Sequence, residues 1–546
     1  MIVIGDRTVR ALYAAVFIAA TGCAGRPPST PSPQAPPAFP ETAPVTAVTP
    51  PPAQTEAQSA HPPLPPIPFV IGEPLNPTVV YPVRDQLIAS RDSNFIIGSI
   101  GSGDATLTIN DVPVEVKANG AYVGWLAIPD GTEPIYRLVA RRGDDSAVFE
   151  LPVRTWRTPV PPVPPPTRPT TPPPQPRLGP ISLGVASADT DKTVVIRPVM
   201  NGTYKWFAVP GTIVERTATE NGWTRVRLDS ALEAYVQTSD VNELDSVSAL
   251  PRRVVGNLVV VPDSAWTDVL FPLSSPPPFL VEEDHDKLIV TLYSTRGTTD
   301  IISYRPGDAL VRAVTWEPIA TDRVRYVVHL RRAPFGYVMF HDGQRLVLRV
   351  RKAPTINKER PLDGLTIAVD AGHPPAGSTG PTGLYEGDAT LPISFALQQE
   401  LEQRGARVFM TRTQSFPVDL TARPIEARRA NAHALISIHL NALPDGVNPI
   451  TTNGTGTYFF HPHSEPLARA VQAGMVRSMG LRDLGVYFDN LALVRPTWMP
   501  AILCEGAFVI VPEQEAAMRD PAGQRAYARG VAAGIEAYFK ALGSSQ

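Results

Sequence analysis

The sequence predicts a multidomain chain: three small all-β modules followed by one α/β domain. Three observations carry that expectation. Proline is concentrated, with 28 of the 62 prolines of this 546-residue chain lying in residues 27–68 and 159–180. Outside those tracts, up to about residue 353, short apolar or alternating segments recur between Gly, Asp, Asn and Pro turn signals, the pattern of strands in small sandwiches and barrels. From Leu365 onward strand-like runs alternate with segments of helical periodicity, which implies a sheet covered by helices. The net charge of −3, from 49 basic and 52 acidic residues, gives no electrostatic footprint for nucleic acid. Two cysteines, Cys23 and Cys504, leave no disulfide framework.

Residues 1–22 read as a lipoprotein-type signal peptide. Arg7 and Arg10 precede the apolar run Ala11–Ala20, which is too short for a stable membrane-spanning helix. The stretch Ala20-Thr21-Gly22-Cys23 resembles a bacterial lipobox, which makes Cys23 the expected lipidated residue of the mature chain. Residues 23–68 then form the anchor and a Pro-rich linker. Their composition cannot bury enough apolar surface to offset chain entropy, so the 42 residues from 27 to 68 should stay extended, reaching about 130 Å at ~3.1 Å per residue.

Residues 69–157 contain Asn94-Phe-Ile-Ile-Gly-Ser-Ile, Thr106-Leu-Thr-Ile-Asn and Tyr136-Arg-Leu-Val-Ala-Arg, and the unit resembles immunoglobulin-like β-sandwiches of bacterial surface proteins. The second linker, 158–180, is expected to let this module move independently. Residues 181–247, with Gly211-Thr-Ile-Val-Glu-Arg, Trp223-Thr-Arg-Val-Arg-Leu and Glu233-Ala-Tyr-Val, resemble Src-homology-type small β-barrels. Residues 251–353 resemble the wall-targeting β-sandwich found ahead of some amidases. All three modules can equally serve as rigid spacers, and none shows chemistry of its own.

The α/β domain, 360–546, holds the candidate chemistry. His373 follows the strand Leu365–Asp370, His439 ends Ala434-Leu-Ile-Ser-Ile-His, and Glu505 ends Ala501-Ile-Leu-Cys-Glu. In open α/β sheets functional groups gather at the carboxyl ends of strands, so parallel strands would bring the three together. Two histidines with one carboxylate suit a catalytic zinc site that keeps a position open, and Glu386, after the loop Gly383-Leu-Tyr, is the carboxylate best placed to complete it. His461 and His463 form a rival metal pair, and Cys504 should pack inward, opposite to Glu505.

Taken together, Val369-Asp-Ala-Gly-His373, Glu386, Met410-Thr-Arg-Thr, Leu420 with Arg423, Ile436-Ser-Ile-His439-Leu-Asn-Ala and Pro500-Ala-Ile-Leu-Cys-Glu505 resemble the zinc-dependent N-acetylmuramoyl-L-alanine amidase family over 362–543. Pro374-Pro375 stands where that family usually has Gly-Gly. The resemblance implies Zn2+ held by His373, Glu386 and His439, with Glu505 as catalytic base. It further implies a zinc-activated water that cleaves the amide between N-acetylmuramic acid and L-alanine of peptidoglycan. The expected setting is the cell envelope: a periplasmic enzyme, lipid-anchored to the outer membrane at Cys23, controlled by location or by an activating envelope protein. A non-catalytic peptidoglycan-binding scaffold and a zinc peptidase acting on another amide are the alternatives.

Overall fold

The computed structural model describes residues 64–157, 179–184, 193–244, 249–307 and 310–544. Cys23, the signal segment, nearly all of the first proline tract and most of the second lie outside the described residues.

In 69–157 two sheets face each other. One orders its strands Thr78–Tyr81, Ser93–Ser99, Ala121–Ala127; the other orders them Val112–Val114, Thr106–Ile109, Ile135–Arg142, Asp145–Pro152. Ile96, Ile100, Leu107, Tyr122, Tyr136 and Leu138 fill the space between. The alternation of Ser93–Ser99 sends Phe95 and Ile97 the other way, and both are buried there, inside the core cluster of the α/β domain. The expectation of an independently moving module is therefore corrected: its outer face is packed against the α/β domain. Polar contacts reinforce the apolar ones. Asp445 accepts from the Ala89 amide at 2.7 Å, from Asn94 Nδ2 at 2.9 Å and from the Tyr81 hydroxyl, and Lys117 pairs with Glu513 at 2.7 Å.

Strands Leu232–Gln237, Trp223–Asp229, Thr212–Glu220, Gly179–Leu183 and Val241–Asn242 make a five-stranded antiparallel sheet. The hairpin Val194–Ile196/Trp206–Ala208 leaves that sheet and pairs, through Phe207 and Phe279, with the strand Phe279–Asp284. It thereby extends the sheet Val311–Ala320, Arg323–Leu330, Lys287–Tyr293, Phe279–Asp284 of the next module to six strands. A second, five-stranded sheet of that module packs on the first through Val260, Phe271, Val290, Tyr326 and Leu348. The two modules thus share a sheet.

The α/β domain runs β1 (Thr366–Ala371), α1 (Glu386–Gln403), β2 (Arg407–Met410), α2 (Ala422–Arg429), β3 (Ala434–Asn441), β4 (Thr455–Phe459), α3 (Glu465–Met479), β5 (Asp483–Phe488), β6 (Ala501–Phe508), α4 (Pro512–Arg519) and α5 (Pro521–Ser544). The sheet order is β2-β1-β3-β6-β4-β5; β2, β1, β3 and β6 are parallel, and β4 runs antiparallel to β6. Ile367, Val369, Ile436, Ile438 and Ile502 meet Ile393, Leu397, Val471, Met475, Val531 and Ile535 from the helices. Helices α3 and α5 approach closely because Gly534 has no side chain; a Cβ there would stand 2.3 Å from Val471 Cα.

Candidate active site

Parallel β1, β3 and β6 place their loops and carboxyl-terminal halves side by side, with His439 directly opposite Glu505 in register. His373 lies two residues beyond β1. Its Nδ1 is 3.1 Å from the Pro375 carbonyl, which fixes that nitrogen as donor and leaves Nε2 facing Glu386 Oε2 at 3.2 Å. Glu386 is the first residue of α1, and its other oxygen, Oε1, lies 3.2 Å from His439 Nδ1. The backbone amides of Ser378 and Leu440 donate to the same carboxylate at 3.1 and 3.0 Å. The donor atoms of His373, Glu386 and His439 all lie within 4.8 Å of one another, and they are the cluster able to hold a metal among the described residues.

Burial alone would raise the Glu386 carboxyl, but hydrogen bonds and charge from His373 and His439 hold it well below the usual carboxylate range. The His373 imidazole is drawn down by burial and, more strongly in sum, up by Glu386. Glu505 is pushed well above its ordinary value, first by burial and then by repulsion from Glu386. Its Oε2 is buried and has no hydrogen-bond partner among the described residues. A lone buried carboxylate oxygen beside a second carboxylate is costly unless a cation or a proton-bearing ligand comes between them. With two imidazoles and one carboxylate as donors, this arrangement fits Zn2+.

Residues around the cluster hold it in shape. Gly372 lets the His439 ring close in, since a Cβ there would stand 2.6 Å from its Cε1 and Nε2. Asp370, fully buried, pairs with Arg423 at 3.1 Å, accepts from Ser437 Oγ at 2.6 Å and takes the Thr411 hydroxyl. Arg423 also donates to the Pro374 carbonyl at 2.9 Å. Arg412 donates to the carbonyls of Ala371, Gly372 and Gly387 at 2.8, 2.9 and 2.9 Å, tying the end of β1 to the first turn of α1. The sequence alone assigns neither arginine a positioning role, although both lie inside the motif pieces quoted above. Tyr527 donates to the Cys504 carbonyl at 2.8 Å and receives the Gly506 amide at 2.9 Å, bracing β6 on both sides of Glu505.

His461 and His463 are not ligands of this kind. Their rings stack at 5.6 Å and 9°, His461 Nε2 meets the Arg495 carbonyl at 2.8 Å, and His463 Nδ1 meets Glu283 Oε2 of the preceding module at 2.7 Å. Cys504 is fully buried and burial pushes its thiol up, so it packs rather than reacts.

Residues 367–537 match the model of the N-acetylmuramoyl-L-alanine amidase family. The probable cell wall amidase LytH of Staphylococcus aureus is 31% identical over 193 residues, 35% of this chain and 63% of that protein. The chain thus spans somewhat less than two thirds of the length of LytH. Among solved structures, an N-acetylmuramoyl-L-alanine amidase from Clostridium difficile 630 is 31% identical, covering 32% of this chain and 97% of that one, with a TM-score of 0.31. AmiC2, an amidase of Nostoc punctiforme, is 29% identical over 34% of this chain and 98% of its own, with a TM-score of 0.30. The α/β domain of this chain is a member of the N-acetylmuramoyl-L-alanine amidase family.

Proposed function

We propose that the chain is a zinc-dependent peptidoglycan hydrolase that cuts the amide between the lactyl group of N-acetylmuramic acid and L-alanine. The observation that carries this reading is the convergence of His373, Glu386 and His439 beneath a buried, unpartnered Glu505 oxygen. His373, Glu386 and His439 would hold the ion. When bound, zinc supplies Lewis acidity, polarising a carbonyl and acidifying water. Glu505, whose proton affinity is raised by burial and by Glu386, takes the proton of the attacking water. As the C–N bond breaks, Glu505 returns that proton to the departing amine; the new carboxylic acid of the lactyl group gives up the second water proton, so the products are a carboxylate and an ammonium. Arg412 and Arg423 hold the His373 segment still during the exchange.

The three β-rich units ahead of the catalytic domain, read as an immunoglobulin-like sandwich, a Src-homology-type barrel and a wall-targeting sandwich, would present the enzyme to its polymer. We place it in the cell envelope, anchored at a lipidated Cys23 on the outer membrane and open to an activating envelope protein. No helix among the described residues is long and apolar enough to cross a membrane.

Incubation with purified peptidoglycan, with and without a chelator, tests the reading. Release of intact stem peptides that stops on chelation and in Glu505→Gln supports it. Metal-independent retention without release would make the chain a binding scaffold, and release of other fragments would make it a zinc peptidase. Mass analysis of the mature N-terminus decides the anchor: a start beyond Cys23, unmodified, removes it.

A further inference from the structure

A cavity of about 580 Å³ opens where the second and third β-rich units meet the catalytic domain. Its walls come from all three: Arg197, Tyr204 and Gln237 from the second, Tyr337 and Met339 from the third, Arg428, Arg495 and Trp498 from the catalytic domain. The aromatic and cationic groups are layered. Two guanidinium groups lie over Tyr204, Arg495 at 3.6 Å and Arg197 at 4.5 Å from its ring centre, and Arg428 lies 5.5 Å from the Trp498 ring. Among the described residues, three arginines against the single acidic side chain Asp240 make the lining positive. Arginines held on aromatic faces suit carboxylates, and aromatic rings suit the apolar faces of sugars.

The cavity is joined to the catalytic centre along two routes. Leu420, Thr421 and Pro424 line it, and Arg423 between them donates to Pro374, next to His373. Phe460 and His461 also line it, and they follow β4, whose Gly456 stands opposite Glu505 in register. Four residues of extended chain from Gly456 to Phe460 cover about 13 Å at ~3.3 Å per residue, so one polymer segment can touch both places. Along that path Tyr458 stacks on Tyr487 and Phe460 on Phe488, with ring centres 5.2 and 5.3 Å apart; Tyr487 and Phe488 are exposed.

We propose that this junction cleft is a second binding site for the substrate polymer, holding a glycan segment with its acidic stem peptide while a neighbouring amide lies at Glu505. The proposal rests on the amidase reading for the identity of the polymer. The positive lining commits it to the peptide-bearing strand rather than to bare glycan.

The test uses the full chain carrying Glu505→Gln, so that bound strands stay intact. The probes are soluble glycan strands that retain their stem peptides and the same strands stripped of them. Peptide-bearing strands should bind more tightly, and Tyr204→Ala or Arg197→Glu should each weaken them about tenfold or more, as expected for truncating an anchor worth ~1.4 kcal/mol or more. Gln237→Trp, which fills the cleft from an exposed position, should do the same without removing a packed group. In chains with Glu505 restored, all three should hydrolyse a single muramoyl-peptide unit at the parent rate. Parental strand affinity in Gln237→Trp and Arg197→Glu, or equal affinity for stripped strands, overturns the proposal. Failure to hydrolyse any muramoyl peptide overturns the amidase reading instead and leaves the strand measurement to decide the cleft.

Discussion

Two histidine pairs of the catalytic domain invite comparison, because by sequence either could be the metal site. His373 and His439 lie 66 positions apart, yet their rings meet edge-on at 4.9 Å and both aim a nitrogen at Glu386. His461 and His463 lie two positions apart and stack nearly parallel. One nitrogen of each is already engaged, by the Arg495 carbonyl and by Glu283. Both Glu283 and His463 are almost fully enclosed, with side chains 2% and 1% exposed. In the first pair the Pro375 carbonyl takes His373 Nδ1, and a nitrogen of each ring converges on Glu386. In the second pair His461 turns a nitrogen to a carbonyl of its own domain, and His463 turns one to Glu283 of the third β-rich unit. Convergence with an orienting partner makes a ligand set; nearness in sequence does not.

The largest expected effect breaks the first pair's site. Glu505→Gln should lower turnover by roughly 10²–10⁴, the usual worth of a general base, with zinc content unchanged by elemental analysis. His439→Ala should lose both zinc and turnover. The second pair should answer differently. His463→Leu strands the Glu283 carboxyl in the interface, and a buried polar group left without its partner costs about 1–3 kcal/mol, more if charged. The thermal transition should drop or split while zinc content stays whole. If His463→Leu removes zinc, the division of labour between the pairs is wrong.

A third histidine sharpens the point. His433 has a single backbone partner, the Thr366 amide, which donates to its Nδ1 at 3.0 Å. Burial, with Arg351 and Arg407 nearby, pushes its pKa down from 6.5 to about 4. Above pH 6.5 folded and unfolded chains both hold it neutral, so its contribution is complete. Between pH 6.5 and 4 only the unfolded chain takes up the proton, and stability falls as the pH falls; below about 4 the slope from this group ends. The drop is at most about 3 kcal/mol. Burial keeps His461 neutral likewise, at about 3, with the same sign. His433→Asn, which can still accept the Thr366 amide, should flatten the thermal-midpoint profile between pH 6.5 and 4. An unchanged slope refutes the assignment.

Much of the site is legible in the sequence because each member ends or follows a strand or opens a helix: His373 after β1, His439 in β3, Glu505 in β6, and Glu386 at the start of α1. What the strand pattern does not carry is who faces whom between modules. Phe95-Ile96-Ile97 is a continuous apolar run, the mark of a strand buried on both faces, but the run does not say what covers its second face. Asp445 is one polar residue in a loop of polar and turn-forming residues, and nothing local separates it from Asp419 or Asp489. Arg412 works by reaching four carbonyls whose directions are set by the fold, so its motif predicts presence but not task.

Two of the module interfaces of the catalytic domain supply the smallest and most discriminating test. Where Glu283 and His463 meet, that enclosed contact is one of several: Tyr337 and Thr497 exchange hydrogen bonds at 2.7 and 2.6 Å, and Arg351 donates to the Ala432 carbonyl at 2.6 Å. Where the first module docks, Asp445 gathers three donors, Asn94 Oδ1 answers with the Gly446 amide at 3.0 Å, and Phe95 and Ile97 supply apolar burial. Asp445 lies six positions after His439, on the segment leaving β3, so this docking braces the chain just beyond a proposed metal ligand. Asp445→Ala leaves Asn94, Tyr81 and the Ala89 amide to find water, at about 1–3 kcal/mol, while the apolar contacts persist. Hydrogen exchange should quicken at the backbone of Ser93–Ser99 and 442–446 but not at Lys287–Tyr293. The thermal midpoint should fall less than in His463→Leu, because water can reach this loop and cannot reach Glu283. Equal protection of Ser93–Ser99 in parent and variant would show that Phe95 and Ile97 hold the module without Asp445.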